Sequence, residues 1–308
     1  KPKREAEART KQILEQFYQK TQGEITRSFL SRMITRLESE QSVKEYLDIM
    51  DHRKTEQLID TLDKVEQNRK ECYIREFSIE HFHDSKVFET LIPKICKIFR
   101  EENEELTGFE NEEILAEYQI YKTPGYVYMK GNVQIYSAGK QAADISAFPE
   151  GIAVAVGSEE DVPDICPDQT IDKVFTIENL TSFYRFKQEH SLVIYLGGYH
   201  NHSRRNLLMQ IYQKLPDAQY YHFGDLDAGG FYILEHLKRK TGIPFQMFQM
   251  DIETLKKYED YAKPLTENDK KRLMQLEKME LPDKERKLIT YMLQKGIKLE
   301  QECISESQ

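Results

Sequence analysis

"YHFGDLDAGG", Tyr221–Gly230, is the stretch on which the reading of the C-terminal half turns. An aromatic, strand-like run stops at Gly224, Asp225 and Asp227 flank Leu226, and Gly229 and Gly230 follow. In extended backbone, residues i and i+2 project to the same side, so both carboxylates can face one point while Leu226 turns toward a core. Bare carboxylates placed side by side raise one another's pKa, a cost that a hard divalent cation removes. Taken alone, the stretch leans toward a plainer reading, an acidic cap on the helix that follows.

The surroundings shift that balance. From residue 171 onward strands and helices alternate: "KVFTI", "NLTSFYRFKQE", "SLVIYL", "SRRNLLMQIYQKL" with Ser203 as its cap, "QYYHF", "GGFYILEHLKRKTG" closed by Gly242, and "PFQMFQM". This order predicts an α/β domain with a mostly parallel four-stranded sheet covered by helices. Ligands of such sheets bind beyond the carboxyl ends of the strands. Glu178 directly follows the first strand, and Asp225 and Asp227 follow the third. Three acids distant in sequence are therefore expected at one edge, where they suit Mg²⁺ or Mn²⁺. Gly229 stands where a DxDxT phosphotransferase would carry threonine, which argues against that class. The tail, 251–308, returns to helices, clearest in "LPDKERKLITYMLQKG".

Toward the N-terminus the texture differs. In residues 1–70, "KQILEQFYQK", "ITRSFLSRMITRL" and "TEQLIDTLDKVEQ" place apolar residues three and four apart, predicting a helical arm or bundle. Over 71–150, "YIREFSI" alternates like a strand and "SKVFETLIPKICKIFREEN" is an amphipathic helix. A short helix at 112–118 and a Pro124–Gly125 turn follow, then a hairpin through "YVYMKGNVQIY" turning at Gly131–Asn132. Helix, helix and hairpin predict a winged-helix-like, DNA-binding unit. Lys86, Lys122, Lys130 and Lys140 are candidate phosphate contacts there, and Arg204 and Arg205 are candidates beside the acidic edge. "GSEEDVPDICPD" reads as the boundary before a catalytic region at 165–308.

Composition narrows the classes. The net charge of −9 is uneven: residues 1–70 hold 15 Lys/Arg against 13 Asp/Glu, and the remainder 29 against 40, so bulk charge neither favours nor excludes nucleic acid. The apolar runs are too short to cross a bilayer, and the four cysteines show no CxxC pairing, so a cytoplasmic protein with reduced thiols is expected. No GxxxxGK[ST] loop is present, which excludes a P-loop ATPase. "GGYHNHSRRN" carries an HxH pair, His200 and His202, without an obvious third zinc ligand. The chain opens "KPKREAEART" without methionine, so an upstream segment is expected to have been trimmed.

Together these motifs resemble a known family. A glutamate after one strand, a glycine-ended next strand and a DxD after the third form the toprim pattern of type IA and type II topoisomerases, bacterial primases and the topoisomerase VI A subunit. "FTIENLTSF", "VIYLGGYHN", "HFGDLDAGGFYIL" and "KLEQE" are most similar to the JetD family, nuclease subunits of the Wadjet anti-plasmid defence system. "REFSIEHFHDSKVFE" and "LAEYQIYKTPGYVYMKG" resemble its preceding winged-helix-like part, so the likeness covers roughly residues 70–304. The resemblance implies Glu178 as general acid/base or metal-positioning carboxylate and Asp225 and Asp227 as Mg²⁺ ligands, with Asn179 and Gly198 shaping the site. It also implies double-stranded plasmid DNA as substrate, a homodimer, and an SMC-like ATPase–kleisin complex as partner. Topoisomerase VI-like proteins attack DNA with a tyrosine. Tyr118, Tyr121, Tyr126 and Tyr128 lack the helix-borne, arginine-flanked setting of that nucleophile, so attack by water is expected.

Overall fold

Helices dominate the first 120 residues because apolar positions there recur at helical spacing and proline is nearly absent. In the computed structural model, which describes residues 2–122, 125–156, 163–197 and 202–304 (backbone only for Pro2 and His202), the chain divides into two units, Lys1–Thr123 and Pro124–Gln308. The first unit holds α1 (Pro2–Lys20), α2 (Glu24–Glu38) and α3 (His52–Gln67), the three helices expected of the arm. They bury Leu14, Phe29, Leu30, Met33, Leu58, Ile59 and Leu62. A two-residue strand β1 (Cys72–Tyr73) leads into α4 (Ile74–Phe82), α5 (Val87–Glu102) and α6 (Asn111–Glu117), and β2 (Ile120–Tyr121) pairs back in parallel with β1.

"YIREFSI", expected as a strand, is instead mostly helix α4. The Glu76 side chain accepts the Tyr73 N–H at 2.8 Å, closing a capping box. Ile74, Phe77 and Ser78 then face inward at intervals of three and four. The apparent period of two was a coincidence of a short window.

The second unit is built on six strands in the order β11-β10-β8-β9-β3-β6, namely Gln246–Met247, Gln219–Phe223, Lys173–Ile177, Ser191–Tyr195, Gly125–Gly131 and Ile152–Val156. β8 pairs in parallel with both β9 and β10, while β3 is antiparallel to β9 and to β6. The expected parallel strands are thus present, extended by β3, expected in a hairpin, and by β6, for which no strand was expected; the fourth, β11, is only two residues long. The expected hairpin at Gly131–Asn132 does not form. β4 (Val133–Ser137) joins β5 (Lys140–Asp144) and β7 (Asp164–Pro167) in a separate sheet. Gly131, at φ +141, makes the exit possible: a Cβ there would lie 2.5 Å from the Ser191 carbonyl oxygen. In consequence β3 and β6 share a sheet with the C-terminal strands, and no strand pair of a wing arises from 125–137.

Helices α7 (Leu180–Arg185), α8 (His202–Lys214) and α9 (Ala228–Thr241) alternate with β8–β11, and Ser203 lies inside α8. Beyond them come α10 (Ile252–Lys257), β12 (Lys263–Pro264), α11 (Glu267–Glu277), α12 (Asp283–Lys295) and β13 (Ile297–Lys298). β12 and β13 pair antiparallel, and Gly242 and Gly296 close α9 and α12 in left-handed conformations. The protein is therefore α+β, with twelve α-helices and mixed sheets among the described residues. One core joins sheet and tail: Phe175, Ile177, Phe223, Leu226, Phe231, Leu288, Met292 and Leu299 pack together.

Candidate metal centre

β8 and β10 are neighbours in register, Ile177 opposite Phe223, so the residues that leave them emerge side by side. The ladder continues one step further, with the Glu178 N–H donating to the Phe223 carbonyl at 3.1 Å. Beyond it the Asp225 N–H donates to Glu178 Oε2 at 3.3 Å, which brings the first acid against the DxD segment. That segment is extended because Leu226 forms a two-way antiparallel bridge with Leu299, at 2.9 and 3.1 Å. Leu226 and Leu299 are buried, and Asp225 and Asp227 alternate outward as half-buried residues.

Two glycines are dictated by this crowding. A Cβ on Gly224 would sit 2.6 Å from Glu178 Oε2 and 2.8 Å from His222 Nε2. On Gly230 it would meet the Asp225 carbonyl oxygen at 2.1 Å, and backbone cannot yield there. Asp227 also caps α9, its Oδ1 accepting the Gly230 N–H at 2.8 Å. The cap and the paired acids are therefore features of the same residues.

Electrostatically the cluster is uncompensated. Burial, then the charges of Asp225 and Asp227, push the Glu178 carboxyl well above the usual carboxylate range. Asp225 is raised too, chiefly by burial, with Asp227, Glu302 and Glu300 adding to it and the Gln301 N–H opposing. Among the described residues none of the three acids has an ion-pair partner, whereas buried Glu285 and Asp269 in the same unit pair with Lys238 and Lys298. Nor do the acids close into a cage: among the described residues no three His, Cys, Asp or Glu groups stand together as a complete metal-binding set. Oxygen donors of this kind, few and crowded, fit a Mg²⁺-like ion that completes its shell with water and phosphate, and do not fit a closed structural site.

The tail supplies contacts that the sequence reading passed over. Gln301, fully buried, accepts the Asn179 N–H and donates to the Phe223 carbonyl, and its own N–H reaches Asp225 Oδ1. Glu302 accepts from the Asn179 side-chain amide at 2.5 Å, while exposed Glu300 pairs with Lys263 at 2.6 Å. The motif "KLEQE" is visible in the sequence, but nothing in its local pattern distinguishes Gln301 from the glutamates on either side. His222 is wholly buried, with Nδ1 2.9 Å from Thr176 Oγ1; burial drives its pKa down to about 3 and keeps the ring neutral.

The basic candidates separate. Arg204 is half-buried and donates to the Leu196 carbonyl at the end of β9, beside Tyr195, whose hydroxyl feels both Arg204 and Glu178. Arg205 is buried. Lys130 is also buried, its ammonium bonded to the carbonyls of Phe183 and Tyr184 and set 4.9 Å over the Phe183 ring. The expected phosphate contact of Lys130 gives way to that internal role, because β3 is a central strand of the sheet. Lys122, in the first unit, is exposed and paired with Glu112 at 2.7 Å; Lys86 is exposed at the start of α5. Gly198 and His200 lie outside the described residues.

A glutamate and a DxD brought to the carboxyl edge of neighbouring parallel strands make this an α+β protein with a carboxylate cluster at its strand ends. Residues 160–308 match the family model described as the Wadjet protein JetD, C-terminal. The Wadjet protein JetD of Bacillus cereus (strain Q1) is 28% identical over 263 residues, 84% of this chain and 63% of that protein, so the chain spans less than two thirds of that relative. Among the described residues no helix is long and apolar enough to cross a membrane.

Proposed function

We propose that this chain is a metal-dependent DNA endonuclease subunit of an anti-plasmid defence complex of the Wadjet type. The observation that carries the reading is the approach of Glu178, Asp225 and Asp227 at one strand edge, with no ion pair to any of them among the described residues. The JetD likeness supports the Wadjet setting; on this reading plasmid DNA is the substrate, a homodimer's paired sites cut both strands, and an SMC-like ATPase–kleisin complex selects the DNA. The strand arrangement is that of a toprim domain on this reading.

Asp225 and Asp227, with Glu178, would hold Mg²⁺ or Mn²⁺, which when bound supplies charge neutralisation at the scissile phosphate and an activated nucleophile. Glu178, on the neighbouring strand, is placed to take or return a proton at its carboxylate during phosphodiester hydrolysis. Gly224 and Gly230 permit the close packing that brings the acids together, since a Cβ at either would strike Glu178 Oε2 or the Asp225 carbonyl. Arg204, anchored at the end of β9, is the basic residue of this edge best placed to orient DNA.

Water is the favoured nucleophile. Tyr118 is packed against Phe99, and burial raises its hydroxyl pKa far above the ordinary tyrosine range, the opposite of an activated nucleophile. The test is plasmid nicking with Mg²⁺ or Mn²⁺ in the presence of the ATPase partners, comparing the wild type with Asp225→Ala. Nicking by the wild type alone is expected; equal inertness of both proteins sinks the nuclease reading. Recovery of a 5′-phosphotyrosine adduct on the cut DNA would overturn the choice of water.

A further inference from the structure

We propose that Gln301 is a positioning residue that sets the separation of Glu178 from Asp225, making the C-terminal tail part of the site. The inference rests on the functional reading above in its second half only, the consequence for the metal.

Three hydrogen bonds carry it. Gln301 Oε1 accepts the N–H of Asn179, the residue after Glu178, at 2.9 Å. Its Nε2 donates at 3.0 Å to the carbonyl of Phe223, which also accepts the Glu178 N–H. Its backbone N–H donates at 2.6 Å to Asp225 Oδ1. One side chain thus spans the ends of β8 and β10 where each strand releases an acid, and only one orientation of its amide satisfies both partners.

The glutamine is wholly buried and all its amide partners are backbone groups, so it is held rigidly. The Leu226–Leu299 bridge delivers it, since Leu299 stands two residues before Gln301 and fixes the tail against the DxD segment. Asn179, held by Gln301 through its backbone, also gives its side chain to Glu302 and to the first turn of α7. Loosening Gln301 therefore releases both acids from a common anchor without removing either.

Substitution by methionine keeps length and apolar volume and deletes both side-chain hydrogen bonds. Substitution by glutamate keeps the acceptor for Asn179 and loses the donor to Phe223. The experiment uses the full chain and two readouts, hydrogen exchange and Mn²⁺ binding by calorimetry. In Gln301→Met, exchange should quicken about tenfold in peptides covering 177–182 and 223–228 and stay unchanged in α11 and α12. Mn²⁺ affinity should fall about tenfold or more, as for other residues that orient metal ligands, with Gln301→Glu falling between. Unchanged exchange at the two strand ends overturns the proposal, and so does faster exchange throughout the unit, which would make the glutamine a plain stability element. If the wild type binds no Mn²⁺, the metal reading fails, and the exchange result alone decides whether Gln301 positions the strand ends. If exchange responds and Mn²⁺ affinity does not, the positioning is without consequence for the metal and the second half of the proposal falls.

Discussion

Glu66 in the first unit and Glu178 in the second are both glutamates drawn into protein interior, and they are served very differently. Glu66 receives the N–H groups of Ile25 and Thr26 at 2.8 Å and the Thr26 hydroxyl at 2.7 Å, so its carboxylate closes the open start of α2. Gly23 makes room for it: a Cβ there would lie 2.1 Å from Glu66 Oε2. Glu178 receives one N–H, at 3.3 Å, and faces two further carboxylates. Glu66, like Glu285 and Asp269, is given donors or a lysine; Glu178 is left facing its own kind. Buried charge without compensation costs free energy, so the arrangement persists against stability rather than because of it.

The sharpest way to break this contrast is Asp227→Asn. The amide keeps an oxygen for the Gly230 N–H and so preserves the α9 cap, while removing the charge. Metal-dependent plasmid cleavage is expected to fall on the order of a thousandfold, about 4 kcal/mol, with the melting temperature held or raised. Retained cleavage would return Asp227 to a capping role alone. On the other side of the comparison, Glu66→Ala should destabilise the first unit by about 3 kcal/mol in denaturant unfolding, since three donors lose a charged partner. A loss below about 0.5 kcal/mol would mean that the two acids do not differ as argued.

Glu178→Gln should do the reverse of Glu66→Ala. A carboxyl whose folded pKa is raised binds more protons folded than unfolded, so its contribution falls as pH rises from near 4.5 upward. The variant should therefore gain stability over wild type at alkaline pH, on the order of 2 kcal/mol, and little near pH 5, read from melting temperatures across that range without added metal. A constant difference across pH would remove the electrostatic explanation.

His222 gives an effect of the opposite sign. Its folded pKa of about 3 lies below the ordinary value of 6.5, so the unfolded chain takes up the proton first and stability drains away as pH falls between those values. Replacing it in His222→Gln should flatten the acid limb of the stability profile by up to about 1.4 kcal/mol per pH unit. An unaltered limb would show that the ring is reached by solvent.

Most of what made this contrast was legible before the fold was known, and the failures are instructive. β8, β9 and β10 and helices α7–α9 were read at nearly their observed positions, because each carries several residues of one period and a glycine or acid at its end. α4 and the missing hairpin were misread for a common reason: over seven residues, a period of two cannot be told from a period near four, and a glycine turn does not announce which strand it will pair. β3 looked like half of a hairpin by local pattern. Its true partner, β9, lies some sixty residues further along, and only the packing of a sheet selects it.

By itself the sequence determined the acids and their order along the chain, because strand, DxD and glycines follow from local periodicity and steric need. Only the tertiary structure decided that β8 and β10 are neighbours in register, that Leu299 holds Leu226 extended, and that Gln301 ties the two strand ends together. Those are contacts between residues 46 to 122 positions apart. No local propensity encodes such distances, and they form only when the shared apolar core closes around them.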